Sequence, residues 1–333
     1  MTAQVETVLG PVDADQLGFV LPHEHLVAGH TGWHLDIAER RSRDELVAIC
    51  VADVEAAKQA GVDTIIDVGP ADLGRDVAVQ QEVSRRTGVH VLCATGLYSR
   101  RVTPYFANRT PAELAELFVH ELTVGIGDTG ARAALVKVAV EAAEPTPYER
   151  RALEAAALAH QQTGAPVMCH AEPGATLVAA RLLRELGVAG NKLVVAHAES
   201  ATDLADLLEV VEDLGAYVGF DRFGLGAYGR DDVRVALVGA LCAMGLAHRV
   251  LLSHDHVSLM LGREGERIVA LAAASPDHVL THVPTRVLPA LAAAGVPADQ
   301  LTRMTVRNPV DLLTAVAVPG TPPDRRHRAH LAF

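Results

Sequence analysis

The chain has 333 residues, half of them apolar and 21% charged, a balance that excludes a disordered chain. Lys plus Arg number 29 against 41 Asp plus Glu, giving a formal net charge of -12. That sign argues against a nucleic-acid-binding surface, which needs clustered positive charge, and against anionic membranes.

The opening stretch, MTAQVETVLG, has neither a basic region nor an apolar core, so no signal peptide is expected. Short apolar runs then alternate with helix-period segments along the whole chain. GFVLPH from Gly18 reads as a first strand, followed by a long connection through HTGWHLDIAERR. SRDELVAICVADVEAAKQAG from Ser42 is helical, opening on a capping serine and closing on a glycine. The next strands are DTIIDVG from Asp63, VHVLCATG from Val89 and ALVKVAV from Ala134. After the helix TPYERRALEAAALAHQQTG from Thr146 come PVMCHA from Pro166, LVVAHA from Leu193, AYVGFD from Ala216 and VLLSHD from Val250. A second long connection follows Asp255. Several of these strands are continuous apolar runs, the pattern of a parallel sheet buried on both faces. Eight βα units without a composition break predict an α/β fold, a single (β/α)8 TIM barrel over residues 1–318, with long loops after strands 1 and 8. The basic, Pro-rich segment 319–333 reads as a surface tail.

Other features narrow the chemistry. Cys50, Cys93, Cys169 and Cys242 are far apart and form no CxxC pair, which fits a reduced cytoplasmic protein. The longest apolar stretches, such as LVGALCAMGLA from Leu237, fall short of the ~20 residues a membrane span needs. No GxxxxGK[ST] loop supports ATP chemistry, and no GxSxG supports a serine nucleophile.

Polar residues stand where buried strands should end. His23 and His25 form HxH on the first strand; a period of two sends both imidazoles to one side and Glu24 to the other. Lys137 ends the fourth strand, His170 the fifth, His197 the sixth and Asp255 the eighth. All six fall at the carboxyl end of the barrel, where active sites sit, and imidazoles and carboxylates are ordinary ligands of divalent ions. Lys137 lies among apolar neighbours in a strand that should be buried. It either snorkels or pairs with an acid, or its amine is kept neutral and reacts with carbon dioxide to form a carbamate that bridges two metals. In LLSHDH, His254 and His256 point away from Asp255 and read as packing residues, with His256 a candidate for touching substrate from the loop.

With these motifs in hand, the chain resembles the phosphotriesterase-like family of the amidohydrolase superfamily, which includes phosphotriesterases and phosphotriesterase-like lactonases. The resemblance rests on LPHEHL at Leu21, ADLGRD at Ala71, ATGLY at Ala94, LVKVAV at Leu135, VMCHAE at Val167, VVAHAE at Val194, GFDRFG at Gly219 and LLSHDH at Leu251. It implies a binuclear centre, with zinc the first expectation and cobalt, manganese or iron the alternatives. His23, His25 and Asp255 would hold the more buried ion, and His170 and His197 the more exposed one. Carboxylated Lys137 and a hydroxide would bridge them. Asp255 would also move the proton in hydrolysis. Tyr98 and Arg222 would line a pocket of lactonase type, joined by Met260 and by Trp33 from the first long loop, with His34 beside it. Leu259 and Leu261 flank Met260 as an apolar wall or as core. The chain departs from the family pattern at Ser200, where many relatives carry an aspartate; Glu199 or Asp203 would then have to serve the proton route. The implied substrate is a small lactone, such as an acyl-homoserine lactone, with secondary turnover of phosphotriesters and aryl esters, and the implied assembly is a homodimer. A family-like barrel that only binds a small ligand, or a primary phosphotriesterase, are the other readings.

Overall fold

The computed structural model describes residues 3–37, 39–98, 102–201 and 203–316, so the tail expected over 319–333 lies outside the described residues. A short antiparallel hairpin, β1 (Gln4–Thr7) and β2 (Gly10–Asp13), opens the chain; the sequence reading had no strand there. Eight strands then follow where the apolar runs predicted them: β3 (Val20–Ala28), β4 (Thr64–Asp67), β5 (His90–Gly96), β6 (Leu135–Val140), β7 (Val167–Ala171), β8 (Leu193–Ala196), β9 (Tyr217–Phe220) and β10 (Val250–Leu252). They run parallel in sequence order, each beside the next. Helices between them include Arg43–Gln59 and Pro147–Thr163, whose predicted caps, Ser42 and Thr146, accept from the backbone N–H of Glu45 and Glu149. The result is a (β/α)8 barrel with two apolar layers. Val20, Ile66, Leu92, Leu135, Met168, Val194 and Leu251 fill its interior. Leu21, Ile65, Val91, Val136, Val167, Val195 and Leu252 pack outward against the helices. The alternation of these two sets explains why the strands read as unbroken apolar runs.

Two local departures from regular strand geometry aim the polar residues. In β3 the register against β4 shifts between Leu21 and Glu24, where Pro22 can donate no ladder bond. The extra residue resets the inside–outside alternation. His23 and His25 thereby face the axis, three and five residues after inward-facing Val20. At Gly96 the backbone takes φ +122, and a Cβ there would lie 1.8 Å from the Lys137 carbonyl oxygen. Only glycine lets β5 pass so close to the residue carrying the buried lysine.

The eighth strand corrects the expectation of a long loop after Asp255. It breaks at Ser253–Asp255 and resumes as β11 (His256–Met260), parallel to β3, with His256 opposite Glu24 and Met260 opposite Ala28. A helix, Glu264–Ala274, follows within the same stretch. One polypeptide segment therefore leaves the edge of β9 and arrives at the edge of β3, closing the barrel. The Glu24 carboxylate, fully buried, holds this seam. Its Oε1 accepts from Ser253 Oγ at 2.7 Å, His254 N at 3.0 Å and His254 Nδ1 at 2.7 Å, and its Oε2 accepts from His256 N at 2.8 Å. Burial pushes this carboxyl upward, but the His254 imidazole and the converging donors outweigh it and hold it below its ordinary value. Glu24→Ala would strand four donors in a dry seam. A loss of about 3–5 kcal/mol in unfolding free energy is expected, read as a lower urea midpoint. A variant within about 0.5 kcal/mol of wild type would show that the seam closes without this carboxylate.

Candidate metal centre

The six residues converge at the mouth of the barrel, but Lys137 lies within β6, three residues before its end, and His23 and His25 lie within β3 rather than at its end. His23 Nε2 and His25 Nε2 lie 3.3 and 3.2 Å from Asp255 Oδ1. Lys137, 1% exposed, places Nζ 2.9 Å from His23 Nε2. Across the mouth, His197 Nε2 lies 2.8 Å from His170 Nδ1 and 3.7 Å from Asp255 Oδ2. Backbone strain helps to assemble the group. Among the described non-glycine residues only His197 (φ 59) and Asp255 (φ 54) have left-handed backbones. Inward-facing Val194 and Ala196 put residue 197 on the outer face by simple alternation; the turn at His197 brings it back to the axis.

A residue missed in the sequence organises the cluster. Asp221, buried after β9, accepts from His23 Nδ1 at 2.7 Å through Oδ2. Its Oδ1 accepts from His197 N at 2.9 Å and His197 Nδ1 at 2.6 Å. Burial pushes its carboxyl up, but the His197 and His23 imidazoles reverse the shift and hold it ionised. Both imidazoles are thereby fixed with the proton on Nδ1 and the Nε2 lone pair inward. The signal was present: AYVGFD ends a buried strand on a carboxylate.

These tautomers test whether the residues fit a metal. His170 Nε2 is 3.1 Å from Glu172 Oε1, so its proton sits there and its Nδ1 lone pair faces the His197 Nε2 lone pair. Two nitrogen lone pairs at 2.8 Å repel unless a cation lies between them. Burial, opposed by Asp221, lowers His197 to about 3, and burial also lowers His170, so neither imidazole readily supplies that cation as a proton. Burial lowers Lys137 to about 8 against the pull of Asp255 and Asp221. Burial raises Asp255, but His23 and His197 outweigh it and hold this carboxyl well below its ordinary value. A set of inward lone pairs and one ionised carboxylate is the donor chemistry of a divalent-ion site. His23, His25 and Asp255 form one candidate ligand group, and His23, His197 and Asp221 another, although the Asp221 oxygens are already occupied by Nδ1 protons.

The cluster floors a cavity of about 810 Å3. Tyr98, Arg222 and Met260 line it, as do Glu172, Tyr228 and His256. Tyr98 sits edge-on to the His170 ring at 5.2 Å. Arg222 lies 4.3 Å over the Tyr228 ring, and its Nε, without a hydrogen-bond partner, is 3.9 Å from Asp255 Oδ2. Trp33 is not brought to this wall. Trp33 is half-buried against the core, close to Gly29 and Gly262, with His34 edge-on to its ring at 6.0 Å. Leu259 and Leu261 are core, leaving Met260 alone of the three on the cavity. His254 is buried under Glu24, whereas His256 lines the cavity and bonds Asp53 at 3.1 Å. Ser200 Oγ accepts from Arg222 Nη1 at 3.4 Å. Of the two substitutes for an aspartate there, Glu199 faces Arg234 at 3.6 Å and feels the charge of Asp221, and Asp203 caps the helix Leu204–Leu208.

Comparison with known proteins agrees with this geometry. Residues 3–313 match the phosphotriesterase family model. A phosphotriesterase homology protein of Mycobacterium tuberculosis is 33% identical over 92% of this chain and 96% of its own length. The aryldialkylphosphatase of Saccharolobus solfataricus is 32% identical over 74% of this chain and 79% of its own. A variant of the PTE-like lactonase of Deinococcus radiodurans superposes with a TM-score of 0.87 at 34% identity, covering 93% of this chain and 99% of that one. The chain belongs to the phosphotriesterase family. It is a hydrolase acting on small-molecule esters, of the phosphotriesterase and PTE-like lactonase type, and that family is generally binuclear-metal dependent. No helix among the described residues is long and apolar enough to cross a membrane.

Asp221→Asn keeps the shape but offers one acceptor oxygen where three N–H donors converge. Metal affinity should fall about 10–100-fold, measured by chelator competition. Unchanged affinity would mean that the two imidazoles are oriented by packing alone.

Proposed function

We propose that this chain is a binuclear hydrolase that opens lactones, acyl-homoserine lactones among them, and turns over phosphotriesters and aryl esters as a secondary activity. The reading is carried by one observation: four imidazoles, three of them with inward lone pairs, converge with Lys137 and Asp255 under a cavity walled by Tyr98, Arg222 and Met260. His23, His25 and Asp255 would hold one ion and His170 and His197 the other. Zinc suits imidazole and carboxylate best, with cobalt, manganese or iron as alternatives. Lys137, desolvated and partly neutral near pH 8, would add to carbon dioxide, losing a proton and gaining an anionic two-oxygen head shared between the ions. When bound, such ions supply Lewis acidity to the carbonyl or phosphoryl oxygen and lower the pKa of an attacking water.

The chain's own groups do the rest. Asp255, ionised and at the floor of the cavity, accepts the proton of the attacking water and returns it to the leaving alkoxide. Arg222 presents Nε–H beside that carboxylate, placed to bond the ring oxygen or the acyl carbonyl. Tyr98 steadies the His170 ring, and Met260 supplies an apolar wall for an acyl chain. A primary phosphotriesterase is the second reading, favoured by the aryldialkylphosphatase relative. Four buried free cysteines support a reducing, cytoplasmic setting, and the family likeness supports a homodimer.

The deciding assay sets a series of acyl-homoserine and simple lactones beside a paraoxon-type triester, with and without chelator. Lactone turnover that exceeds triester turnover and vanishes on chelation is expected. Faster triester turnover would favour the second reading, and lactone turnover that survives metal removal would overturn the metal mechanism. Lys137→Ala should lose about one metal equivalent and most activity, recovered in part by added short carboxylic acids; full activity without them would remove the carbamate. Asp255→Asn should slow turnover by at least ~10²-fold, the usual scale for a general acid–base. A near-wild-type rate would take Asp255 out of proton transfer.

A further inference from the structure

The carboxylate of Glu172 stands in the cavity wall and belongs to no expected ligand set. It lies one residue beyond β7, its backbone fixed by Glu172 N donating to Val140 O at 3.1 Å and Ala175 N donating to Glu172 O at 2.9 Å. Its side chain is 15% exposed. One oxygen, Oε1, serves two partners: it accepts from His170 Nε2 at 3.1 Å and from Arg222 Nη2 at 3.3 Å. These partners do different work. His170 turns Nδ1 toward His197, and Arg222 turns an unpartnered Nε toward Asp255.

We infer that Glu172 is a positioning residue that couples the His170–His197 ion site to the substrate-facing arginine. The inference rests on the binuclear reading given above. An arginine and a carboxylate left to themselves favour a two-pronged pair that uses both oxygens. Here only Nη2 reaches the carboxylate, Nη1 is turned to Ser200 Oγ at 3.4 Å, and the guanidinium is stacked on the Tyr228 ring at 4.3 Å. The arrangement keeps Arg222 from closing the remaining 3.9 Å to Asp255, where it would neutralise the proton acceptor. The same oxygen keeps the His170 proton on Nε2 and so keeps the Nδ1 lone pair available as a ligand. Loss of the carboxylate frees both groups at once: His170 can change tautomer, and Arg222 can fall onto Asp255.

The test compares zinc-loaded wild type, Glu172→Ala and Glu172→Gln by metal analysis after dialysis against graded chelator. Lactone KM and kcat are measured on the same samples. In E172A one of two metal equivalents should be lost at about 10–100-fold lower chelator, while the other keeps its wild-type midpoint. Its kcat should fall further than its KM rises once that equivalent is restored with excess zinc, because Arg222 then occupies Asp255. E172Q, whose amide oxygen can still accept from both partners, should retain both equivalents and recover most of kcat. Two equivalents at wild-type midpoints in E172A would overturn the inference. So would equal weakening of both, since that reports damage to the whole mouth, and so would an E172Q no better than E172A. A wild-type chain that holds fewer than two equivalents would instead sink the binuclear reading, and the inference with it, before any variant is compared.

Discussion

A single buried carboxylate fixes the chemistry of the barrel mouth. Asp221 accepts three N–H bonds, two from imidazoles carried by strands on different sides of the sheet's order. A carboxylate so deep is tolerable only because those donors replace its water. The consequence is directional. With both Nδ1 protons committed to Asp221, His23 and His197 have only Nε2 lone pairs to offer the centre. His25, His170, Lys137 and Asp255 are then arranged around them, Lys137 Nζ 2.9 Å from the His23 lone pair and the His170 Nδ1 lone pair 2.8 Å from that of His197.

Holding that arrangement deforms the barrel locally. The bulge in β3 turns the HxH pair inward, His197 takes a left-handed backbone, and Asp255 does the same at the break in the eighth strand. Non-glycine residues in that region carry strain of order 1–3 kcal/mol each. The surrounding bonds sustain it: Asp221 bonds the backbone and ring of His197, and Glu24 ties down the donors on either side of Asp255. Candidate ligands and seam are thus one construction. The strand that delivers His23 and His25 to the mouth also carries, between them, the carboxylate that closes the barrel behind Asp255.

Much of this could be read in the sequence. Eight strands were legible because a sheet buried on both faces writes unbroken apolar runs, and the cluster at the mouth because a histidine, lysine or aspartate in or after such a run needs a reason to be there. Lys137 in LVKVAV is the clearest case. What could not be read depended on contacts between distant segments. Asp221 looked like any acid entering a loop until two imidazoles were seen to share it. HVSLM reads as loop because its polar residues hide that it pairs with β3 across the seam. Trp33 resembles a pocket residue by its position in a long loop, yet the glycine at 29, where a Cβ would lie 3.0 Å from the indole, leaves room for it against the core. Glu172 follows the candidate ligand His170 by two residues, and its inferred role depends on Arg222, fifty positions away.

The proposed chemistry depends on two ions sharing Lys137. The most direct measurement is a crystal structure of zinc-loaded protein with anomalous data above and below the zinc edge. Two anomalous peaks about 3.5–4 Å apart between the His23/His25 and His170/His197 pairs, with density continuing beyond Lys137 Nζ, is the predicted result. One peak, or a lysine whose density stops at Nζ while metal is bound, would contradict it.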